Sequence, residues 1–541
     1  MYIEELKKRQ GEKIYKSVLI RESYRDKNGK VKHRTIANIS KLPVEYIYEL
    51  KRLLKGVRGG IQTSDLGTGV SYEYGGSYVF REVAGELGLD RAIYSRRTQW
   101  REDVLAMIIG RILYQGSKLS LTNHYPDTGL WEVCGHRYGE RVDVEKHCYK
   151  ALDKLLLRKK DIERHLVKKH LRKGCVVIYD ITNAYFEGEY NFSEKVKYGK
   201  SKDNKCGYKQ ISLGLITTSE GCPVGVEIFS GNVSEQKTVL DQIKKLKCSY
   251  GIEEAVFVGD RGMLTSKRIS ELTEEGYKTI SALNHCELKK FIEGKAVQME
   301  LFDERNITEI VDKESGVRYM LCRNETEMRK ERETRNSLIE KVKSLLTAKS
   351  NVKRKRNAQR VAASVGKIFQ KYPVEKFFDW HVEEDGKLNW TVKEEKVAEE
   401  EKLDGCYAIK TTVSCKNMSK EEVVGNYRSI QKVEQAFKNM KTVILEIRPV
   451  YHKTDRRIEA HIFLVMLAYY LQYHAMQRLK TLFENDGIGS QRRWSFPIII
   501  ERLKAIRKTE IKIKDITIKY SVSQPDEEQK TILKLLNVKM P

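Results

Sequence analysis

The chain contains no apolar run of roughly 18 residues or more, so no segment reads as a membrane-spanning helix. Its opening, "MYIEELKKRQ", lacks the apolar segment of a signal peptide, and a cytoplasmic protein is expected. The ten cysteines are scattered singly from Cys134 to Cys415 without a regular framework. That spacing excludes a disulfide-stapled secreted scaffold and fits small, reduced core residues. No internal repeat is present, which excludes a solenoid or a propeller. Acidic residues are in deficit, 75 against 101 Lys and Arg, leaving a formal charge of +26. An excess that large favours a polyanionic partner, and nucleic acid is the usual one.

One cluster of metal-binding residue types stands out. "CGHRYGERVDVEKHC" holds Cys134, His136, His147 and Cys148. The paired spacings of zinc sites are missing, and an adjacent His and Cys rarely reach one ion together. Ordinary core or surface residues are therefore expected, with a structural zinc as the alternative.

At 541 residues the chain has room for two to four domains. Residues 1–65 carry 16 Lys/Arg against 8 Asp/Glu, and a basic hairpin is expected there with its turn at Asn28-Gly29. "QTSDLGTG" at 62–69 reads as a linker. Helical apolar spacing fills 77–171, a helical domain with basic faces suited to phosphates. From 174 short β-rich runs take over: "CVVIYDIT", "KQISLGLITT", "PVGVEIFSG" and "EAVFVGD". With helices interleaved, they predict the first part of a mixed-sheet α/β core over 174–284. The core pattern lapses over 285–405, which reads as an insertion with a long charged helix from Glu325, a basic stretch and a hairpin turning at Asp385-Gly386. It resumes over 406–480 with a helix at 421–444 and an apolar helix at 456–480. A C-terminal region, 481–541, follows, in which "IKIKDITIKY" predicts one strand with a phase slip.

The first β run stops on Asp180, and another ends at Gly259-Asp260. A carboxylate at the end of a buried strand is costly unless paired, hydrogen-bonded or bound to a metal. Two such strands side by side would set two carboxylates at one sheet edge, and a divalent cation is the natural resolution of their repulsion. Two-metal phosphoryl transfer uses such an arrangement, commonly with a third carboxylate. Glu434 is the candidate: Tyr427, Glu434 and Lys441 recur every seven residues along one helical stripe. Glu459, in "RRIEAHI", is a weaker rival.

Together these segments resemble the DDE transposases of bacterial insertion sequences, in particular the group with a β-strand insertion and a Tyr-Arg-Glu-Lys pattern. "YRSIQKVEQAFKNMK" carries Tyr427, Glu434 and Lys441 at that group's spacing, with Ile430 where the pattern has Arg. "YDITNAYFEG", "YGKSKDNKCGYKQISLGL", "GNVSEQKT", "VGDRGML" and "IRPVYHKTDRRIEAHI" match in order. The resemblance implies a ribonuclease-H-like core with Asp180, Asp260 and Glu434 as catalytic, metal-binding triad. The implied cofactor is Mg²⁺, for which Mn²⁺ can substitute. It implies phosphate contacts from Arg261, Tyr427 and Lys441, with Trp380 and Trp390 of the insertion as candidates for stacking on a flipped base. The implied partners are double-stranded DNA, as terminal inverted repeats and target, and a second copy of the chain when bound to DNA ends. The implied location is the bacterial nucleoid. Two other readings stay open: a metal-dependent nuclease without strand transfer, and a transposase-derived DNA-binding protein that no longer cuts.

Overall fold

A computed structural model describes residues 1–10, 13–26, 29–56, 66–123, 127–172, 174–202, 207–284, 286–289, 307–312, 315–351, 357–443, 445–448, 450–487, 491–513 and 516–541. The N-terminal hairpin is one strand larger than expected. β1 (Tyr2–Gln10), β2 (Lys13–Arg25) and β3 (Val31–Asn38) form an antiparallel sheet. Gly29 supplies the positive φ of the turn between β2 and β3, at +76°, while Asn28 lies outside the described residues.

The expected linker at 62–69 is corrected in part: residues 62–65 lie outside the described residues, and Leu66 opens β4 (Leu66–Glu73). Its sequence, Leu-Gly-Thr-Gly-Val-Ser-Tyr-Glu, has no apolar run to announce a strand, and its partner comes from the far end of the chain.

Helices follow from Gly75 to His170. The helix Gln99–Leu113 is buried on every side from Arg101 to Leu113. It packs on the long helix Asp455–Arg478, and the two stretches share one continuous apolar core.

The central sheet is built from β5 (Cys175–Phe186), β6 (Lys197–Tyr198), β7 (Lys209–Thr218), β8 (Pro223–Ser230), β9 (Ala255–Val258) and β10 (Lys278–Ala282). Read across, the order is β8-β7-β5-β9-β10, with β7 antiparallel to its neighbours and β5, β9 and β10 parallel. Near-continuous Val, Ile and Phe in β5 and β9 suit strands covered on both faces. This order with one reversed strand is the ribonuclease-H-like arrangement.

The segment 285–405 first extends this sheet. β11 (Ile307–Val311) and β12 (Arg318–Arg323) join it through a later strand. The chain then leaves along the helix Glu325–Ser350, capped by Asn324, whose side chain accepts from the Thr326 and Glu327 N–H groups. With the helix Ala358–Lys371 and the hairpin of β13 (Phe378–Val382) and β14 (Leu388–Val392), it closes a small core of its own around Val342, Phe369 and Phe378. β15 (Cys406–Thr411) returns between β10 and β12.

At the C-terminus, the single strand expected over 511–520 is corrected to two. β16 (Arg507–Ile513) and β17 (Ile516–Val522) form a hairpin around residues 514–515, which lie outside the described residues. β16 pairs with β4, so the end of the chain completes a sheet begun before the helical region.

Candidate active site

β5 does not stop at Asp180, as the sequence suggested; it runs six residues further, to Phe186, paired with β7 alone. What stops is its other neighbour. The parallel register pairs Ile178 with Val258, the last residue of β9. Asp180 and Asp260 therefore lie two residues beyond matched positions on adjacent strands, which run about 5 Å apart. The Asp260 carboxylate accepts from the Arg261 backbone N–H at 2.7 Å.

The helix expected over 421–444 is three pieces: Lys420–Arg428, Ile430–Lys438 and a π-helical turn, Asn439–Val443. Ser419 starts it with a reciprocal capping box to Glu422. Val433 and Ala436 bury the second piece against the core, and the stripe of Ile430, Glu434 and Phe437 lines the cavity at the sheet edge. The break at Ser429 leaves the spacing by seven intact: Tyr427, Glu434 and Lys441 line one cavity of about 1030 Å³ with Asp180, Asp260 and Arg261. Six of the eight residues singled out from sequence thus meet.

Electrostatics bind these positions together. Burial pushes the Asp180 carboxyl up to about 6; Lys202 and the Ile181 backbone oppose the rise, while the Asp260 and Glu434 carboxylates add to it. Burial also raises the Tyr427 hydroxyl to about 12, with Asp260 reinforcing and Arg261 opposing, so it stays a neutral donor. Lys441 is buried and donates to Thr182 Oγ1 at 3.0 Å, which locks the helix piece to β5 next to Asp180.

The remaining candidates lie elsewhere. Trp380 and Trp390 face each other across β13 and β14, and pack on Phe369 and Phe378 respectively. Their burial is the hairpin's own, and neither lines the cavity. Glu459 pairs with Lys159 at 2.7 Å and is committed there.

Sequence reasoning missed several wall residues. Lys202 donates to the Ile181 carbonyl at 2.8 Å and pairs with Glu235 at 2.7 Å. Arg448 lies over the Tyr185 ring, 3.7 Å from its centroid, and among the described residues its buried Nε and Nη1 have no hydrogen-bond partner. Both sit in segments singled out above, "YGKSKDNK" and "IRPVYHK", but a lysine or arginine in a chain this basic carries no individual signal. Glu327 and Glu331, one turn apart on the insertion's long helix, close the far wall. Gly231 explains part of "SGNVSEQKT": a Cβ there would stand 2.0 Å from the Gln210 carbonyl oxygen and 2.6 Å from that of Lys197. Only glycine lets these backbones meet beside the Lys202 segment.

Asp180, whose carboxyl is raised chiefly by burial, shares the cavity with Asp260 and Glu434, and the three make a donor set of hard oxygens that fits a divalent cation. Among the described residues no helix is long and apolar enough to cross a membrane.

The family model "Transposase DDE domain" matches residues 171–471, more than half of the chain. A second, "IS1634 family transposase, N-terminal domain", matches residues 3–63. No curated protein matches the chain. Among solved structures, a piggyBac transposase synaptic complex with hairpin DNA aligns at 9% identity and a TM-score of 0.32, over 80% of this chain and 76% of that one. The Mos1 transposase paired-end complex with left transposon end aligns at 12% identity and a TM-score of 0.15, over 44% and 68%. The match over residues 171–471 and the N-terminal match point to one enzyme class: the chain is a member of the DDE transposases of insertion sequences, divalent-metal-dependent enzymes that act on DNA.

Proposed function

We propose that this transposase nicks DNA at the ends of its own element and joins the freed 3′-OH to target DNA, with Asp180, Asp260 and Glu434 holding Mg²⁺. The observation that supports it best is the convergence of these three carboxylates, from β5, the turn after β9 and a distant helix, in one cavity ringed by Lys202, Arg261, Arg428, Lys438, Lys441 and Arg448. When bound, the ions supply activation of the attacking oxygen and charge stabilisation at the leaving one.

The chain's own groups do the positioning. Tyr427, a neutral donor, and Arg261 face the phosphate from the Asp260 side. Lys441, held by Thr182, places a fixed cation on the opposite side, where charge builds on the scissile phosphate. Arg448 takes over the guanidinium that the family pattern places at 430, where this chain has a buried isoleucine. Its unpaired N–H groups cost free energy until a phosphate or base edge accepts from them. Arg448→Ala is expected to slow cutting about 10- to 100-fold, and Arg448→Lys to rescue little, because a single ammonium cannot reproduce the fork. Single-turnover cutting rates on end-bearing DNA check this; full activity in Arg448→Ala would remove the residue from the site. A homodimer bridging two ends fits the reaction.

The deciding assay is a labelled linear DNA carrying the element's ends, incubated with a target plasmid in Mg²⁺ or EDTA. Metal-dependent nicks at the element boundary and products joined to the plasmid are expected. Nicks without joined products would reduce the enzyme to a nuclease, and binding without cleavage in Mg²⁺ or Mn²⁺ would leave a DNA-binding protein.

A further inference from the structure

A second set of metal-ligand side chains lies in the helical region, away from the catalytic cavity. His136 and His147, singled out in the sequence beside Cys134 and Cys148, meet a partner that sequence spacing hides: Asp103, on the helix Gln99–Leu113. One nitrogen of each imidazole and a carboxylate oxygen all lie within 4.8 Å of one another. The three residues are 3, 6 and 7% exposed. Asp103 Oδ1 is 2.7 Å from His136 Nε2, and Oδ2 is 3.3 Å from His147 Nδ1. The rings stand edge to face, with centroids 4.8 Å apart at 76°.

Asp103 comes from the buried stretch of its helix, His136 from the irregular segment 134–143 and His147 from the π-helical turn Val144–Tyr149. Gln99, exposed at the start of the helix, places Nε2 2.8 Å from His136 Nε2 and 2.9 Å from Asp103 Oδ1. A carboxylate and two imidazoles shielded from water need partners for their lone pairs, and a cation between them supplies one.

We propose that Asp103, His136 and His147 bind a structural transition-metal ion, zinc by ligand type, distinct from the catalytic magnesium. Two imidazoles and one carboxylate suit zinc, whereas magnesium favours oxygen ligands and keeps its waters. Ligand atoms around a tetrahedral zinc with bonds of about 2.0–2.1 Å lie roughly 3.3 Å apart. One ligand atom from each of the three residues already lies within 4.8 Å of the other two, so small side-chain rotations bring them to that separation. The ion ties the fully buried helix to His136, in the irregular segment 134–143, and to the π-helical turn Val144–Tyr149, so metal binding orders a stretch that carries Arg137, Arg141 and Lys146.

The test uses full-length, tag-free protein carrying Asp180→Asn and Asp260→Asn, so that the catalytic carboxylates do not compete. After dialysis against Mg²⁺ buffer, mass spectrometry of metals is expected to find about one zinc per chain, lost when His147→Gln is added. Metal-stripped protein is expected to show the visible ligand-field absorption of bound Co²⁺ on titration, and its Tm to rise on adding Zn²⁺. If His147→Gln fails to fold, the Co²⁺ titration of the metal-stripped parent decides alone. Zinc-free protein that shows neither Co²⁺ absorption nor a Zn²⁺-dependent Tm would overturn the proposal and leave a buried hydrogen-bonded cluster. Because none of these readouts uses DNA, the outcome is independent of the catalytic assignment.

Discussion

Glu434→Gln is expected to bind end-bearing DNA as tightly as the unaltered protein and to nick it at least about 1000-fold more slowly. The side chain keeps its size and its place on the Ile430–Lys438 helix, whose buried face is formed by other residues. What it loses is the negative charge it presents to the cavity alongside Asp180 and Asp260. Weakened metal binding and transition-state stabilisation together amount to about 4 kcal/mol or more, and each 1.36 kcal/mol is a factor of ten in rate. The measurement is a pair of titrations, binding by electrophoretic shift in EDTA and single-turnover nicking in Mg²⁺. Nicking that survives would mean that another carboxylate completes the set, and Glu327 and Glu331 on the facing wall would be tested next.

The second large effect is a pH dependence set by Asp180. Its carboxyl is raised to about 6 from an ordinary 3.8, so the folded protein favours the protonated form. The sign follows: the favourable contribution is fully present below the unfolded value of 3.8 and is lost as pH rises through about 6. Above that, the ionised group costs the metal-free protein about 3 kcal/mol. Metal-free Asp180→Asn is therefore expected to melt at a higher temperature than the unaltered protein at pH 7.5, with the difference vanishing near pH 4. Mg²⁺ is expected to raise the Tm of the unaltered protein and not that of the variant. Nicking in the unaltered protein should rise about tenfold per pH unit below about 6 and level off above it, since only the ionised carboxylate holds the cation. A flat profile between pH 5 and 7, with no stabilisation from Asp180→Asn, would place Asp180 outside the metal set.

The two aspartates were legible because each follows an apolar run, and a charge after such a run needs an explanation. The reason lay one step away from the expected one. Asp180 is not at the end of its own strand but beside the end of β9, and pairing between strands 80 residues apart leaves no local trace. Glu434 was legible through its spacing from Tyr427 and Lys441, which outlives the helix break at Ser429. The break itself was not, since no Pro or Gly marks it. Lys202 and Arg448 were hidden by numbers, two cations among 101. Trp380 and Trp390, singled out for stacking on a flipped base, pair across the hairpin and pack on Phe369 and Phe378, away from the cavity. His136 and His147 were read as ordinary because ligand spacing was sought within one segment, whereas Asp103 lies upstream on a different helix.

The pairing of β4 with β16 has a consequence in time. Val70 and Glu510, hydrogen-bonded across it, are 440 residues apart. At about 5–20 residues per second, a ribosome takes roughly 20–90 s to make what lies between them. For that interval β4 emerges as an unpartnered edge. A chain cut short before residue 507 would already carry all three carboxylates and the whole matched DDE segment, yet lack the strand that pairs with β4. The closing strand is thus a test of completeness: prematurely terminated copies, chemically equipped to cut DNA, are left with an open edge exposed to aggregation and proteolysis.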